Sequence, residues 1–169
     1  MKIIDDFIPK ENFKEFKNLI TNYDFPWRIN RAMTDHDNCI WFSHDIFDDH
    51  QIFSPVVHGK YFIKILNQLH CAALINGRLN LYCNATYQHS GWHNDFLFVC
   101  KTAIFNFDNN DGGTEFMIND EIKFVQSKAN SLIVFDSNIK HRAVSSNKND
   151  LRHVLNFNFI DTYSMFIEE

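Results

Sequence analysis

The feature that most constrains this chain is a change of period at Arg78. From there Arg78, Asn80, Tyr82, Asn84 and Thr86 fall on one parity, and Leu79, Leu81, Cys83, Ala85 and Tyr87 on the other. Successive strand residues point to opposite faces, so the stretch predicts a strand with one polar and one apolar face. A strand between a ligand cavity and a layer of helices has that pattern. Further strand-like runs are expected at 102–107, 114–118, 121–126, 131–136, 143–145 and 151–161. Between them lie Asn109-Asn110-Asp111-Gly112-Gly113, a turn rich in residues that tolerate positive φ, and Asn119-Asp120, a two-residue hairpin loop. Many short strands punctuated in this way predict an all-β sandwich or jelly roll.

The residues before Arg78 read as support for that core. Positions 2–8 predict a strand ended by Pro9. Phe13, Phe16, Leu19 and Ile20 then recur at helical spacing, with Glu11 and Glu15 near the positive end, so 10–22 predicts an amphipathic helix. Ser54-Pro55 has the form of a helix start. Val57, Tyr61, Ile65, Leu69 and Ala73 repeat every fourth residue beyond it, beside Phe62, Leu66 and Leu74, and Asn76-Gly77 reads as the stop. A helix of about twenty residues is therefore expected there, packed on a sheet. Between the helices, Pro26-Trp27 and Thr34-Asp35-His36-Asp37-Asn38 predict a strand and an exposed turn. Trp41-Phe42-Ser43-His44-Asp45 predicts a loop or strand at the mouth of a pocket, and residues 23–50 are where substrate choice would be encoded. His36, His44 and His50 have irregular spacing with no Cys or Gly pattern, which speaks against a second metal site. The expected organisation is one domain over 1–169, with helical and strand support over 1–77 and a core over 78–161. There is no internal repeat, low-complexity stretch or linker.

Composition excludes several classes. At 169 residues the chain can bury a core without staples, and eighteen phenylalanines suit a sandwich filled by large side chains. A net charge of −5 with Lys and Arg scattered argues against a nucleic-acid grip. Cys39, Cys71, Cys83 and Cys100 show no Cys-x-x-Cys spacing and read as thiols kept in a reducing cytoplasm. No apolar run approaches the roughly eighteen residues of a membrane span, and Met-Lys-Ile-Ile-Asp-Asp is no signal sequence. The expectation is a cytoplasmic protein without membrane contact. Gly112-Gly113 lacks the Lys-Ser/Thr of a phosphate loop, and Ser90-Gly91 fails the nucleophile-elbow pattern.

The chemistry concentrates in Ser90-Gly91-Trp92-His93-Asn94-Asp95-Phe96. On a strand, His93 and Asp95 would aim an imidazole and a carboxylate the same way. His141, just past the apolar run Ser131-Leu132-Ile133-Val134-Phe135, is the candidate third ligand. Two histidines and a carboxylate on one face of a metal, with positions left open, mark non-haem Fe(II) oxygenases. Arg152 follows inside the last strand-like run.

These residues resemble those of the Fe(II)/2-oxoglutarate-dependent dioxygenases, in the prolyl-hydroxylase-like branch, and especially the small oxygenases of bacteriophage genomes. The resemblance runs through Asn80-Leu81-Tyr82, Trp92-His93-Asn94-Asp95, Lys101-Thr102-Ala103-Ile104-Phe105 and Asp111-Gly112-Gly113-Thr114-Glu115-Phe116. It continues in Ala129 to Asp136, His141, Arg152 and Asn156-Phe157-Asn158-Phe159. It implies a double-stranded β-helix (jelly roll), mainly β with flanking helices and N-terminal helical support. It also implies Fe(II) held by His93, Asp95 and His141. Arg152 would pair with the distal carboxylate of 2-oxoglutarate, assisted by Tyr82 and Asn80. Relatives often carry proline where this chain has Cys83. The implied reaction couples decarboxylation of 2-oxoglutarate by O₂ to hydroxylation of a protein side chain such as proline, or of a small molecule, releasing succinate and CO₂. Two other readings stay open from the residues themselves. One is a zinc-binding or cupin-like jelly roll, since the same ligands hold zinc. The other is a structural jelly-roll module.

Overall fold

Alternating strands build one large sheet and a smaller one facing it. The computed structural model describes residues 1–30, 41–83, 89–148 and 151–162. In chain order the elements are β1 (Lys2–Ile4), α1 (Lys10–Ile20), β2 (Arg28–Asn30), β3 (Trp41–Asp48), β4 (Gln51–Ile52), α2 (Pro55–Val57) and α3 (Ile63–Gln68). Then come β5 (Cys71–Cys83), β6 (Lys101–Asn106), β7 (Gly113–Ile118), β8 (Glu121–Gln126), β9 (Ser131–Asp136), β10 (His141–Val144) and β11 (Leu151–Asp161). The large sheet runs β1-β9-β6-β11-β5-β3-β2 with β4 beside β3, and the small one runs β10-β7-β8. All the strand pairings are antiparallel. Mainly β with flanking helices, this is the jelly roll that the strand pattern and the resemblance predicted.

The large sheet has two different faces. One is covered by α1 and the α2–α3 segment, where Phe16, Ile20, Tyr61, Phe62, Ile65 and Leu66 pack on Leu79, Phe105, Leu132, Leu155, Phe157 and Phe159. Burying each such side chain contributes about 1.5–3 kcal/mol. Phe105 meets Phe107 edge-on at 5.0 Å and Phe62 meets Phe157 at 5.1 Å. The other face meets the small sheet through Ile104, Ile133, Phe135 and Val154 against Phe116 and Val125. Beside that apolar seam it is polar, and there the site lies.

Most predicted strands are found within two residues of their expected bounds, and Asn119 and Asp120 both take positive φ, 53° and 62°, as a tight hairpin requires. Five expectations are corrected. The first strand stops at Ile4 instead of 8, because Asp6 turns the chain at φ 49°. The long helix to Asn76 ends at Gln68: His70 takes φ 51°, and Cys71 onward pairs with β11. Its start holds Pro55 in the first turn, but the Ser54 side chain makes no cap, and one π turn spans His58–Phe62. Asn76-Gly77 is thus no helix stop. It lies inside β5, where the Asn76 Oδ1 accepts from the Asn158 N–H and a Cβ at Gly77 would sit 2.5 Å from the buried Phe62 ring. In the 109–113 turn no residue takes positive φ; its glycines serve close approach. A Cβ at Gly112 would lie 2.7 Å from the Val144 carbonyl, and one at Gly113 2.2 Å from that of Val125. The predicted turn at 34–38 and the strand end at Asn84 to Tyr87 lie outside the described residues.

Candidate metal centre and co-substrate cavity

His93 and Asp95 do not sit on a regular strand, as alternation had suggested. His93 instead forms an isolated bridge to the first residue of β10, with its N–H on the His141 carbonyl at 3.1 Å and the reverse bond at 2.9 Å. Asp95 follows in a bend whose N–H donates to the Ser137 carbonyl at 3.1 Å. The convergence expected of the three side chains is nevertheless present. Each imidazole Nε2 lies 3.7 Å from Asp95 Oδ1, and one ligand atom from each residue fits within 4.8 Å of the others. Among the described residues no other group of three His, Cys, Asp or Glu does so. His44 instead bonds the Pro26 carbonyl and packs on Phe25, while His36 lies outside the described residues.

Hydrogen bonds fix which atoms face the centre. The His93 Nδ1 lies 3.0 Å from the Gly91 carbonyl, and the His141 Nδ1 3.0 Å from that of Ile139. A carbonyl only accepts, so both protons belong on Nδ1 and both Nε2 lone pairs point to the common space. The His141 Nε2 is buried with no hydrogen-bond partner. Burial holds the His141 pKa below its ordinary value, with Asp95 opposing, which keeps the ring neutral and fit to ligate. Asp95 is oriented by two residues whose role the sequence did not reveal. Its Oδ2 accepts from Thr102 Oγ1 and Asn158 Nδ2, each at 2.9 Å, leaving Oδ1 toward the histidines. Phe116 and Phe135 wall His141 on its other side.

Arg152 is 1% exposed and faces the same interior. Its Nη2 donates to Thr114 Oγ1 at 3.3 Å, but Nε and Nη1 are buried without a partner. Burial lowers its pKa to about 10, so it stays charged at neutral pH. No carboxylate lies within ion-pair distance of it among the described residues. The Tyr82 ring lies beneath the guanidinium at 5.4 Å. Both residues line a narrow cavity with His93, His141, Thr114 and Asn156. His153, on the opposite face of β11, pairs with Asp108 at 2.9 Å. Asn80 is buried but lines a second, larger cavity that also borders His93 and Asp95.

The donor set fits an octahedral cation that keeps open positions, and the Arg152 guanidinium, with two nitrogens unpartnered, fits one end of a dianion. The Arg152 cavity is about 20 Å³, little more than one water. A five-carbon diacid would therefore need the lining side chains to part.

In fold, the chain is similar to solved prolyl hydroxylase and 2OG-Fe(II) oxygenase structures. A prolyl-4-hydroxylase from Pseudomonas putida superposes with a TM-score of 0.68 at 14% identity, over 95% of this chain and 91% of that one. An oxidoreductase of the 2OG-Fe(II) oxygenase family from Burkholderia pseudomallei gives 0.71 at 9% identity, over 93% and 84%. A Trichoplax adhaerens prolyl hydroxylase, solved with a hypoxia-inducible-factor peptide fragment, gives 0.63 at 11% identity, over 99% and 87%. At such identities the likeness is one of fold. No protein-family model matches the chain, and no curated protein matches it in sequence. Among the described residues no helix is long and apolar enough to cross a membrane.

Proposed function

We propose that this chain is an Fe(II)- and 2-oxoglutarate-dependent dioxygenase acting as a single domain. His93, Asp95 and His141 would hold the iron, and Arg152 with Tyr82 the 2-oxoglutarate. The observation that carries the reading is the buried Arg152, two of whose donor atoms lack partners beside the convergent triad. An isolated buried cation is costly. A zinc or structural site gives it nothing to neutralise, whereas the far carboxylate of a 2-oxo diacid would do so through two parallel charge-assisted bonds.

When bound, the iron and 2-oxoglutarate supply an oxidant from O₂, with succinate and CO₂ as by-products. The chain's own residues place and shield that chemistry. The carbonyls of Gly91 and Ile139 lock the imidazoles in the ligating tautomer, and Thr102 with Asn158 fixes the Asp95 carboxylate. Phe116 and Phe135 keep the His141 side dry. The substrate is a protein side chain such as proline, or a small molecule. The free thiols Cys71, Cys83 and Cys100 suit a cytoplasmic setting.

The test is to titrate 2-oxoglutarate into the anaerobic Fe(II) protein and follow the metal-to-ligand charge-transfer band. The band should appear in wild type and vanish in His93→Ala. Its absence in wild type, or tight retention of zinc instead, would replace this reading with the metal-binding one.

A further inference from the structure

The second cavity lies toward the Asn158 end of β11, whereas the Arg152 cavity lies toward its beginning; His93 and Asn156 border both. Its volume is about 150 Å³, below the roughly 300 Å³ at which drug-sized pockets begin. Its walls are mostly charged and amidic, with Phe47, Gly77 and His93 as the exceptions. Across paired strands, Asp45 of β3 faces Arg78 of β5, which faces Asn156 of β11. The Arg78 Nε donates to Asp45 Oδ1 at 2.6 Å. Its two terminal nitrogens make no further bond among the described residues. Asp48, also in the lining, has no side-chain partner among those residues. Asn156 Oδ1 is buried with no hydrogen-bond partner.

An apolar substrate would cover these groups without answering them, and the buried Asn156 Oδ1 would stay without a partner. Arg78 and Asp45 offset one another, so the unmatched charge is the Asp48 carboxylate, and with Asn156 Oδ1 it asks for a cationic donor. The terminal nitrogens of Arg78 ask for an anion. A residue inside a peptide has lost both terminal charges; a free amino acid keeps them, and it is of the right size.

We propose that this cavity receives a free amino acid, or a molecule with the same paired ammonium and carboxylate. The carboxylate lies against Arg78 and the ammonium against Asp48 and Asn156. The remaining carbons face His93 and Asp95, which border the same space. The inference rests on the oxygenase reading. In the step implied, a C–H bond becomes C–OH with one atom of O₂. The other atom enters succinate as 2-oxoglutarate loses CO₂.

The experiment offers the twenty L-amino acids singly to the anaerobic Fe(II)–2-oxoglutarate protein and watches the charge-transfer band. Binding to Ni(II)-loaded protein is measured by calorimetry, and product mass is read after admitting air. Expected is a neutral or basic amino acid that shifts the band, binds the Ni(II) form and gains one oxygen, with acidic ones excluded by Asp48. Its N-acetyl amide should bind about tenfold or more weakly. Asp48→Asn and Arg78→Met should each weaken the free form by a similar factor. Should Arg78→Met fail to fold for want of its Asp45 pair, Asp48→Asn, at an exposed position, still decides. Equal binding of the blocked form, or preference for a proline-containing peptide, overturns the proposal. So does a band that no amino acid shifts, and then the oxygenase reading stands. No band in wild type defeats that reading itself.

Discussion

Along β11, alternate residues belong to different environments. His153, Leu155, Phe157 and Phe159 face the helices, and Arg152, Val154, Asn156 and Asn158 face the cavities. On the helix side the polar groups are matched: His153 pairs with Asp108, which also binds Lys17 of α1 at 2.8 Å. On the cavity side Arg152 and Asn156 keep buried atoms without partners. The difference teaches that stability and function were divided by parity on one strand. One face minimises free energy in the isolated chain, and on the other some buried polar atoms have no partner among the described residues.

Substitutions on either face can break that division. Phe157→Ala should cost about 3–5 kcal/mol of stability through a cavity in the close-packed aromatic layer, read as a lower midpoint in urea. A loss below about 1 kcal/mol would mean the helix side is not what holds the sheet. Arg152→Ala should weaken 2-oxoglutarate binding by roughly 2–4 kcal/mol, about 30- to 1000-fold, with metal affinity nearly unchanged. In the isostere Arg152→Met, the melting temperature should hold or rise, since an incompletely paired buried cation is removed. A large fall in melting temperature would blur the two faces.

Asp108→Asn sharpens the contrast from the stabilising side. Burial alone would raise this carboxyl, but bonds from His153, Lys17 and the His153 N–H outweigh it and hold the pKa at about 2. A folded-state value below the unfolded one near 3.8 stabilises above the unfolded pKa, and the gain is lost as pH falls through about 2. The variant should therefore be about 2 kcal/mol less stable at pH 7. The gap to wild type should close between about pH 4 and pH 2; a gap that persists there would point to packing instead of charge. The smallest effect belongs to Tyr82→Phe, which should weaken 2-oxoglutarate binding by about 0.5–1.5 kcal/mol with stability little altered.

How much of this could be read from the chain depends on how local each signal was. The strands from Lys101 onward were legible because period-two alternation and turn residues such as Asn119-Asp120 act over neighbouring positions. The triad was legible because His93 and Asp95 lie close in sequence and His141 follows an apolar strand. The helix over 55–76 was overextended because Leu69 and Ala73 keep its spacing, while the pairing of Cys71–Leu74 with β11 is a tertiary matter. Thr102 and Asn158 fall inside segments that carry the resemblance, but nothing in the sequence marks their role. Their convergence on Asp95 follows from the register that sets Asn158 opposite Thr102.

The short strand β1 finds its partner at Leu132–Val134, and just beyond it Ile8 is bonded to Asn130, 122 residues later. During synthesis at roughly 5–20 residues per second, the nascent Lys2–Ile4 segment therefore waits on the order of ten seconds for β9. Until then β6, which takes its other edge from β9, cannot be enclosed. Loop closure over such separations is slow. The growing chain thus carries an unpaired edge until β9 is made, so translation rate and temperature are expected to bear on its folded yield.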